Sequence, residues 1–447
     1  MKIAILGFGR EGRSVLRFLK TRGLTQTNRR TDTEDEIWIL DRNPRLKVPR
    51  GVKSQLGKEY LSNLEVFDVI FRSPGIPYNL PQLKKARRSG IKFSSLTKLF
   101  FENCRGTIIG ITGTKGKGTT ATLLYKILKA AGKPVLLAGN IGKPALEILP
   151  KIGKNSLVIL ELSSFQLQDL TISPKIAVVL DVFPDHQDNH LSLNEYYGAK
   201  TNIARHQKDG DKVFYFSAKG ARLPASGGKN NALSGWVASG GRGKKIAVDE
   251  NWFGLFNKAD LKMHGSHNFR NAVMAATVAL SLGAPAKTII KAVRNFPGME
   301  HRLEFVKQIG NIKFYNDSAS TNPHTAAAAL KAFPGRTKIL LAGGQDKNLD
   351  YGPLAEAVRI SNVLLIVLLG ENKKKIKEAV KRTGMAIKLV NTLKEAVAAA
   401  YQYGKARARD RDSVVIIFSP GAASFDMFKN YADRGNQFKK TVAKLSK

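Results

Sequence analysis

Cysteine is almost absent from this chain of 447 residues: Cys104 stands alone, so no internal disulfide can form, which suits a reducing compartment. Long apolar runs are missing too. None approaches the roughly 20 residues that a membrane-spanning helix needs, and Val363 to Leu369 is long enough only for a buried strand. Acidic residues are scarce, 35 against 73 Lys plus Arg, which leaves a formal net charge of +38. When clustered, such an excess points to nucleic acid. Here it is scattered in short groups such as Arg87-Arg88 and Lys373-Lys374-Lys375, with no aromatic residues interleaved. That pattern argues against a specific nucleic-acid partner and for a basic surface that suits anionic substrates. Met1 runs straight into Lys-Ile-Ala-Ile-Leu-Gly, a strand and a glycine turn instead of a leader peptide. The expectation is a cytoplasmic protein, monomeric and without a membrane partner.

What is present is the composition of a folded globular chain, 43% apolar and 24% charged, long enough for about three domains. Strand-then-helix patterning starts three times. It begins with Ile3 to Leu6, Ile37 to Leu40 and Val66 to Phe71 as strands, and restarts near residue 95 with Thr107 to Ile111, Val135 to Leu137, Leu157 to Leu160 and Ile176 to Leu180. A third series has strands at Ile312 to Tyr315, Lys338 to Leu341, Leu364 to Leu368 and Val414 to Phe418. The fold class is α/β with three domains. An N-terminal Rossmann-like parallel sheet is expected over residues 1–94, a central P-loop ATPase-type domain over 95–297, and a C-terminal Rossmann-like α/β domain over 298–447. The stretch from Ala218 to Gly243, rich in Gly, Ser, Ala and Lys, reads as loops or a short hairpin.

Two glycine motifs lie between a strand and a helix. Gly7, Gly9 and Gly12 fit the dinucleotide fingerprint, and Asp41 ends the second strand where an acid usually grips ribose. Alone this fits an NAD enzyme, or equally a tight turn holding some other nucleotide or none. The run Gly113-Thr114-Lys115-Gly116-Lys117-Gly118-Thr119-Thr120 is more specific. Its backbone N–H groups can cradle phosphates, with Lys117 reaching the transferred γ-phosphate of ATP. Gly118 stands where the usual pattern has the magnesium-binding hydroxyl, so Thr119 or Thr120 would supply it. Glu161 closes the strand Leu157 to Leu160 and is placed to hold Mg2+. Asp185-His186-Gln187-Asp188 is a second candidate for metal or substrate.

In their order, these motifs resemble the Mur ligases. The resemblance rests on the phosphate loop, on Glu161-Leu162-Ser163-Ser164-Phe165-Gln166-Leu167, Asp185-His186 and Gly265-Ser266-His267-Asn268-Phe269-Arg270-Asn271. His301-Arg302, Asn316-Asp317-Ser318 and Ser419-Pro420 complete it, so it spans essentially the whole chain. The Glu-Leu-Ser-Ser-Phe-Gln-Leu run is similar to that of the branch that adds D-glutamate to UDP-N-acetylmuramoyl-L-alanine. The resemblance implies that Gly9, Asp41, Ser73, Gly75, Asn140 and Ser163 bind the UDP-substrate. Asn268, Asn271, Arg302 and Asp317 would position ATP. Glu161, Thr119 and His186 would hold magnesium, joined by Lys200 as a carbamate; from the residues alone Lys200 reads as a solvated helix lysine. Thr321, Lys347, Ser424 and Tyr431 match positions around D-glutamate. The sequence departs from the family at Ala319-Ser320, where Lys-Ala is usual, at Tyr431 in place of Phe, and at Gly118. Gly118 also makes the loop similar to that of folylpolyglutamate synthases, which lack a leading uridine-binding domain. An NAD-dependent oxidoreductase, resting on the first glycine motif alone, is the alternative of a different class.

Overall fold

The computed structural model describes residues 1–22, 35–140, 143–182, 190–216, 241–263, 265–407 and 413–446. Asp185-His186-Gln187-Asp188 and most of the Ala218–Gly243 stretch lie outside these residues. Three sheets follow one another along the chain. The first joins β1 (Lys2–Leu6), β2 (Glu36–Asp41), β3 (Lys53–Leu56), β4 (Val69–Arg72) and β5 (Lys92–Ser94) in the order β3-β2-β1-β4-β5, all parallel. The second joins β6 (Thr107–Thr112), β7 (Val135–Gly139), β8 (Leu157–Glu161), β9 (Ile176–Val179), β10 (Lys212–Phe216) and β11 (Lys244–Val248) in the order β11-β10-β9-β6-β8-β7, again all parallel.

The third sheet runs β12-β13-β17-β14-β15-β16, from β12 (Glu304–Ile309), β13 (Ile312–Asn316), β14 (Thr337–Ala342), β15 (Val363–Leu368), β16 (Ala386–Leu389) and β17 (Val414–Phe418). It is mixed, because β12 pairs antiparallel with β13 and has a register shift between Phe305 and Lys307. The strands that periodicity failed to find are mostly edges: β3, β5, β11, β12 and β16. An edge strand buries little, so its sequence stays polar (Lys-Ser-Gln-Leu in β3) and carries no continuous apolar run.

Contact density divides the chain into two compact units, Met1–Phe256 with Arg270–Ala292, and Asn257–Phe269 with Val293–Lys447. Within the first, one apolar cluster runs from Ile3, Phe8, Val15 and Leu16 through Phe100 to Ile108, Leu146 and Leu160, so its two sheets share a core. Arg72, at the end of β4, adds a polar clamp across the same joint. Its side chain is 1% exposed. Its guanidinium donates to Asp169 Oδ2 at 3.1 and 3.3 Å, to the Phe165 carbonyl at 3.0 Å and to the Ile76 carbonyl at 2.8 Å. A buried cation loses its hydration, and here a counter-charge and carbonyl acceptors offset that loss. Arg72→Met should lower the stability of the first unit by about 3–5 kcal/mol, because Asp169 and two carbonyls lose their donor. Denaturant unfolding checks this, and a loss under about 1 kcal/mol would show that the apolar core alone holds the joint.

Candidate active site

In parallel sheets the ligand loops gather at the carboxyl ends of the strands, near the point where strand order reverses. In the first sheet that point lies between β1 and β4, and the glycine motif sits there. Gly7 has φ +85°, and a Cβ on it would meet Ser73 Cβ at 3.0 Å; a Cβ on Gly12 would fall 2.2 Å from the Gly7 carbonyl oxygen. Both glycines are demanded by the protein's own backbone. Gly9 and Gly75 are different: a Cβ on either would meet nothing within 4 Å. Both line a cavity of about 410 Å³, whose wall includes Arg10, Glu11, Ser73, Asn140 and Gln166. The open space over these two glycines is room for a ligand. Asp41 holds the turn itself, accepting from Phe8 N at 2.7 Å and Asn43 N at 2.9 Å. Ser73 Oγ donates to the Gly7 carbonyl at 2.7 Å. Ser163 caps the short helix Ser164–Leu167 reciprocally with Gln166.

In the second sheet β6 lies between β8 and β9, and the phosphate loop leaves its carboxyl end. Gly113 and Gly116 have φ +155° and +85°, and a Cβ on Gly116 would lie 2.2 Å from Asn271 Oδ1. Asn271 therefore packs directly on the loop. Lys117 opens the helix Lys117–Ala130 and donates to the carbonyls of Gly113 at 3.0 Å and Thr114 at 3.1 Å. Lys115 is exposed. Thr119 and Thr120 are buried in the first turn, and Thr120 Oγ1 is sealed without a hydrogen-bond partner. Glu161 ends β8, buried beside the loop strand through the Ile111–Glu161 pairing. Lys200, on the helix Leu193–Arg205, is not a solvated lysine: it is 3% exposed and donates to the Gly113 carbonyl at 2.9 Å. The loop, Asn271, Glu161 and Lys200 thus converge on one edge. His186 lies outside the described residues, among which no group of three or more His, Cys, Asp or Glu side chains is set to hold a metal.

Three supports of this loop had no sequence signal. Thr114 N donates to the Asp181 carbonyl at 2.9 Å, and Arg270 grips the Asp181 carboxylate at 2.7 and 3.0 Å while pairing with Glu250 at 2.9 Å. Thr114 Oγ1 also shares a hydrogen bond of 2.8 Å with the buried Tyr196 hydroxyl. Arg270 stands in a quoted motif, but nothing local shows that Asp181, 89 residues away, is its partner.

The second unit presents its own edge, where β13, β17 and β14 end. Asp317 is 6% exposed; Oδ2 accepts from the Ser320 and Ser419 hydroxyls, and Oδ1 from Leu303 N at 3.1 Å. Arg434, 1% exposed, donates to Ser318 Oγ at 3.0 Å and to the carbonyls of Ser318, Ala422 and Ala423 at 2.8, 3.0 and 3.2 Å. It pins the segment carrying Ser424, which is buried, beside Ser318, whose hydroxyl donates to the Tyr431 carbonyl at 2.8 Å. The Tyr431 ring is 46% exposed and meets His301 edge-on at 6.1 Å. Lys347 lies over the Phe425 ring at 5.8 Å, and Thr321 and Arg302 are exposed. Asn268 lies in the first turn of the helix Ser266–Ser281.

Burial pushes the Asp317 carboxyl from 3.8 up to about 6, against the pull of its two serine donors. The folded unit therefore keeps this proton where the unfolded chain has lost it. Stability from this group is full below about pH 4 and lost as pH rises to about 6, a change of about 3 kcal/mol. Asp317→Asn lacks that slope. Denaturant unfolding of both proteins between about pH 4 and pH 7 should show wild type losing this amount relative to the variant; parallel curves would place the carboxyl at its ordinary value.

Three family profiles match the chain: the N-terminal domain of MurD-like Mur ligases over residues 1–95, the Mur ligase middle domain over 111–279, and the Mur ligase glutamate ligase domain over 301–420. The UDP-N-acetylmuramoylalanine--D-glutamate ligase of Acetivibrio thermocellus is 36% identical, covering 99% of this chain and 96% of that protein. That of Ruminiclostridium cellulolyticum is 37% identical over 99% and 97%. Among solved structures, the UDP-N-acetylmuramate-alanine ligase MurC of Thermotoga maritima shares the fold with a TM-score of 0.57 at 17% identity, over 99% of both chains. The folylpolyglutamate synthase of Mycobacterium tuberculosis, complexed with ADP, also reaches 0.57 at 13% identity, but over only 78% of this chain and 93% of its own. With its three consecutive domain matches and its full-length relatives, the chain belongs to the Mur ligase family.

Proposed function

We propose that this protein is an ATP-dependent ligase that joins D-glutamate to UDP-N-acetylmuramoyl-L-alanine, a cytoplasmic step of peptidoglycan synthesis. The observation that carries this reading is similarity at 36% and 37% identity, over nearly the whole chain, to two ligases of that name. The leading sheet with its cavity favours it over a folylpolyglutamate synthase.

The chemistry follows from the electrophile. A carboxylate does not yield to an amine, because its leaving group would be oxide. The alanyl carboxylate oxygen attacks the γ-phosphorus of ATP, the bond to ADP breaks, and an acyl phosphate forms whose leaving group is inorganic phosphate. The neutral amine of D-glutamate then attacks the carbonyl, phosphate departs and the nitrogen gives up a proton. Lys117 and the loop N–H groups stabilise charge on the phosphoryl oxygens as it moves. Gly9, Asp41, Ser73, Gly75, Asn140 and Ser163 take the UDP-substrate, and Asn268, Asn271, Arg302 and Asp317 position ATP. Lys347, Thr321, Ser424 and Tyr431 receive D-glutamate, a cation and hydroxyls suited to its carboxylates.

A magnesium ion fits the donors present: the Glu161 carboxylate and a loop hydroxyl, Thr119 or the unpartnered Thr120, are the hard oxygens it prefers. His186 and a carbamate on Lys200 would complete the set. Bound there, the ion supplies positive charge to the phosphate oxygens. The Lys200 carbamate forms from CO2 and the neutral amine with release of one proton. It keeps one N–H for the Gly113 carbonyl while reversing the side chain's charge.

Pure protein with ATP, magnesium, D-glutamate and UDP-N-acetylmuramoyl-L-alanine should release phosphate only when both acceptor and amino acid are present. Release that ignores either substrate would refute the assignment. Lys117→Ala should abolish ligation with the fold intact, as judged by circular dichroism. Lys200→Ala should lose most activity, and Lys200→Glu should retain more than Lys200→Arg; the reverse order of Glu and Arg would mean that the site needs a cation and no carbamate.

A further inference from the structure

We propose that Glu11 is a positioning residue of the substrate cavity: it holds the Gln166 carboxamide in one orientation, leaving a second amide N–H for an oxygen of the sugar nucleotide. This rests on the ligase reading only for the identity of that ligand. Glu11 stands in the first turn of the helix Arg10–Arg22 that follows the glycine turn, and Gln166 in the short helix after β8, so the two side chains meet across the joint between the first two sheets. Both line the cavity. Gln166 is 3% exposed, and its Oε1 accepts from Ser163 N at 3.0 Å and Ser163 Oγ at 3.2 Å. The backbone N–H of Ser163 can only donate, which identifies the oxygen end of the amide, and Glu11 holds the other end. The nitrogen end then points at Glu11, and Nε2 donates to Oε1 at 2.8 Å. An amide nitrogen carries two N–H groups, so one remains for a ligand.

The carboxylate is an unusual choice for this wall. Glu11 Oε2 is sealed from water without a hydrogen-bond partner. Burial raises the group's pKa, opposed first by the Gln166 hydrogen bond and then by the charges of Arg10 and Arg72. A carboxylate with no such partner would only repel a diphosphate. Tied to Gln166, the same charge polarises the amide and strengthens its remaining N–H as a donor, which favours an oxygen acceptor on the ligand.

The test is a double-mutant cycle on the full chain, read both by Michaelis constants and by calorimetric binding of UDP-N-acetylmuramoyl-L-alanine. Glu11→Ala should raise the Michaelis and dissociation constants for that substrate by about tenfold, with those for ATP and D-glutamate within about twofold. Gln166→Ala should do the same, and the double variant should be no worse than Gln166→Ala. Glu11→Gln, whose carbonyl can still accept from Gln166, should stay within about threefold of wild type. Additive losses, equal losses for all three substrates, or an indifferent Glu11→Ala would each overturn the proposal, as would failure of the wild type to bind the sugar nucleotide. Binding without turnover in the wild type would instead sink the ligase reading and leave this cycle intact.

Discussion

The carbonyl oxygen of Gly113 accepts from two lysines, Lys117 at 3.0 Å and Lys200 at 2.9 Å, and the phosphate edge is built around it. Two nitrogens bound to one oxygen lie at most about 6 Å apart. If both are ammonium groups they repel by about 3 kcal/mol at an effective dielectric of 20. An anion brought to that edge is attracted by both. A carbamate on Lys200, as proposed above, would change this balance, because the pair would then attract each other. The same geometry would thus suit two opposite local fields, two cations with the free amine or one cation and an anion with the carbamate.

Everything that fixes that oxygen is backbone or tertiary. Gly113 occupies φ +155°, where a Cβ would fall 2.8 Å from Leu180 Cβ, and Gly116 is closed against a Cβ by Asn271. Thr114 is held from β9 through Asp181, and Asp181 from the Ser266–Ser281 helix through Arg270. The loop is thus preset before any ligand arrives, which is what electrostatic stabilisation of a moving phosphoryl group requires. The joint with the first sheet is held in the same manner, with Arg72 and the Glu11–Gln166 bond tying it to the segment that follows β8.

How much of this was legible depends on range. The two glycine motifs could be read because their constraint is local: a positive φ or a close backbone approach excludes every other residue type. Asp41 could be read as an acid at a strand end, but its grip on Phe8 N could not, since that contact spans 33 positions. Asp181 with Arg270, Tyr196 with Thr114, and Glu11 with Gln166 are invisible for the same reason: each pair exists only once the sheets are assembled. Ser424, Tyr431, Lys347 and Thr321 carried no motif of their own and entered through resemblance. Lys200 shows the limit from the other side, since a lysine on a helix reads as solvated and the fold buried it. Edge strands escaped because their burial is too slight to leave a period of two.

The scarcity of acid in this chain gives its buried carboxylates meaning. With 35 Asp and Glu against 73 Lys and Arg, surface attraction already favours anions. A carboxylate placed inside works against that field and loses hydration as well. Among the described residues only Glu161 and Asp317 are acids buried as whole residues, Glu11 being half-buried; one stands at the end of β8 and the other just past β13. The cations buried among the described residues are Arg72, Lys200, Lys338 and Arg434, and Lys338 and Arg434 donate to neutral oxygens. Burial lowers the Arg434 pKa to about 10, against the opposing charges of Asp426 and Asp317. The chain buries these two cations chiefly on neutral oxygens, so where Glu161 and Asp317 stand is the more telling feature. Each stands at a strand's carboxyl end, where a parallel sheet receives its ligands, and what such a carboxylate offers there is charge for a cation or an acceptor for a hydroxyl.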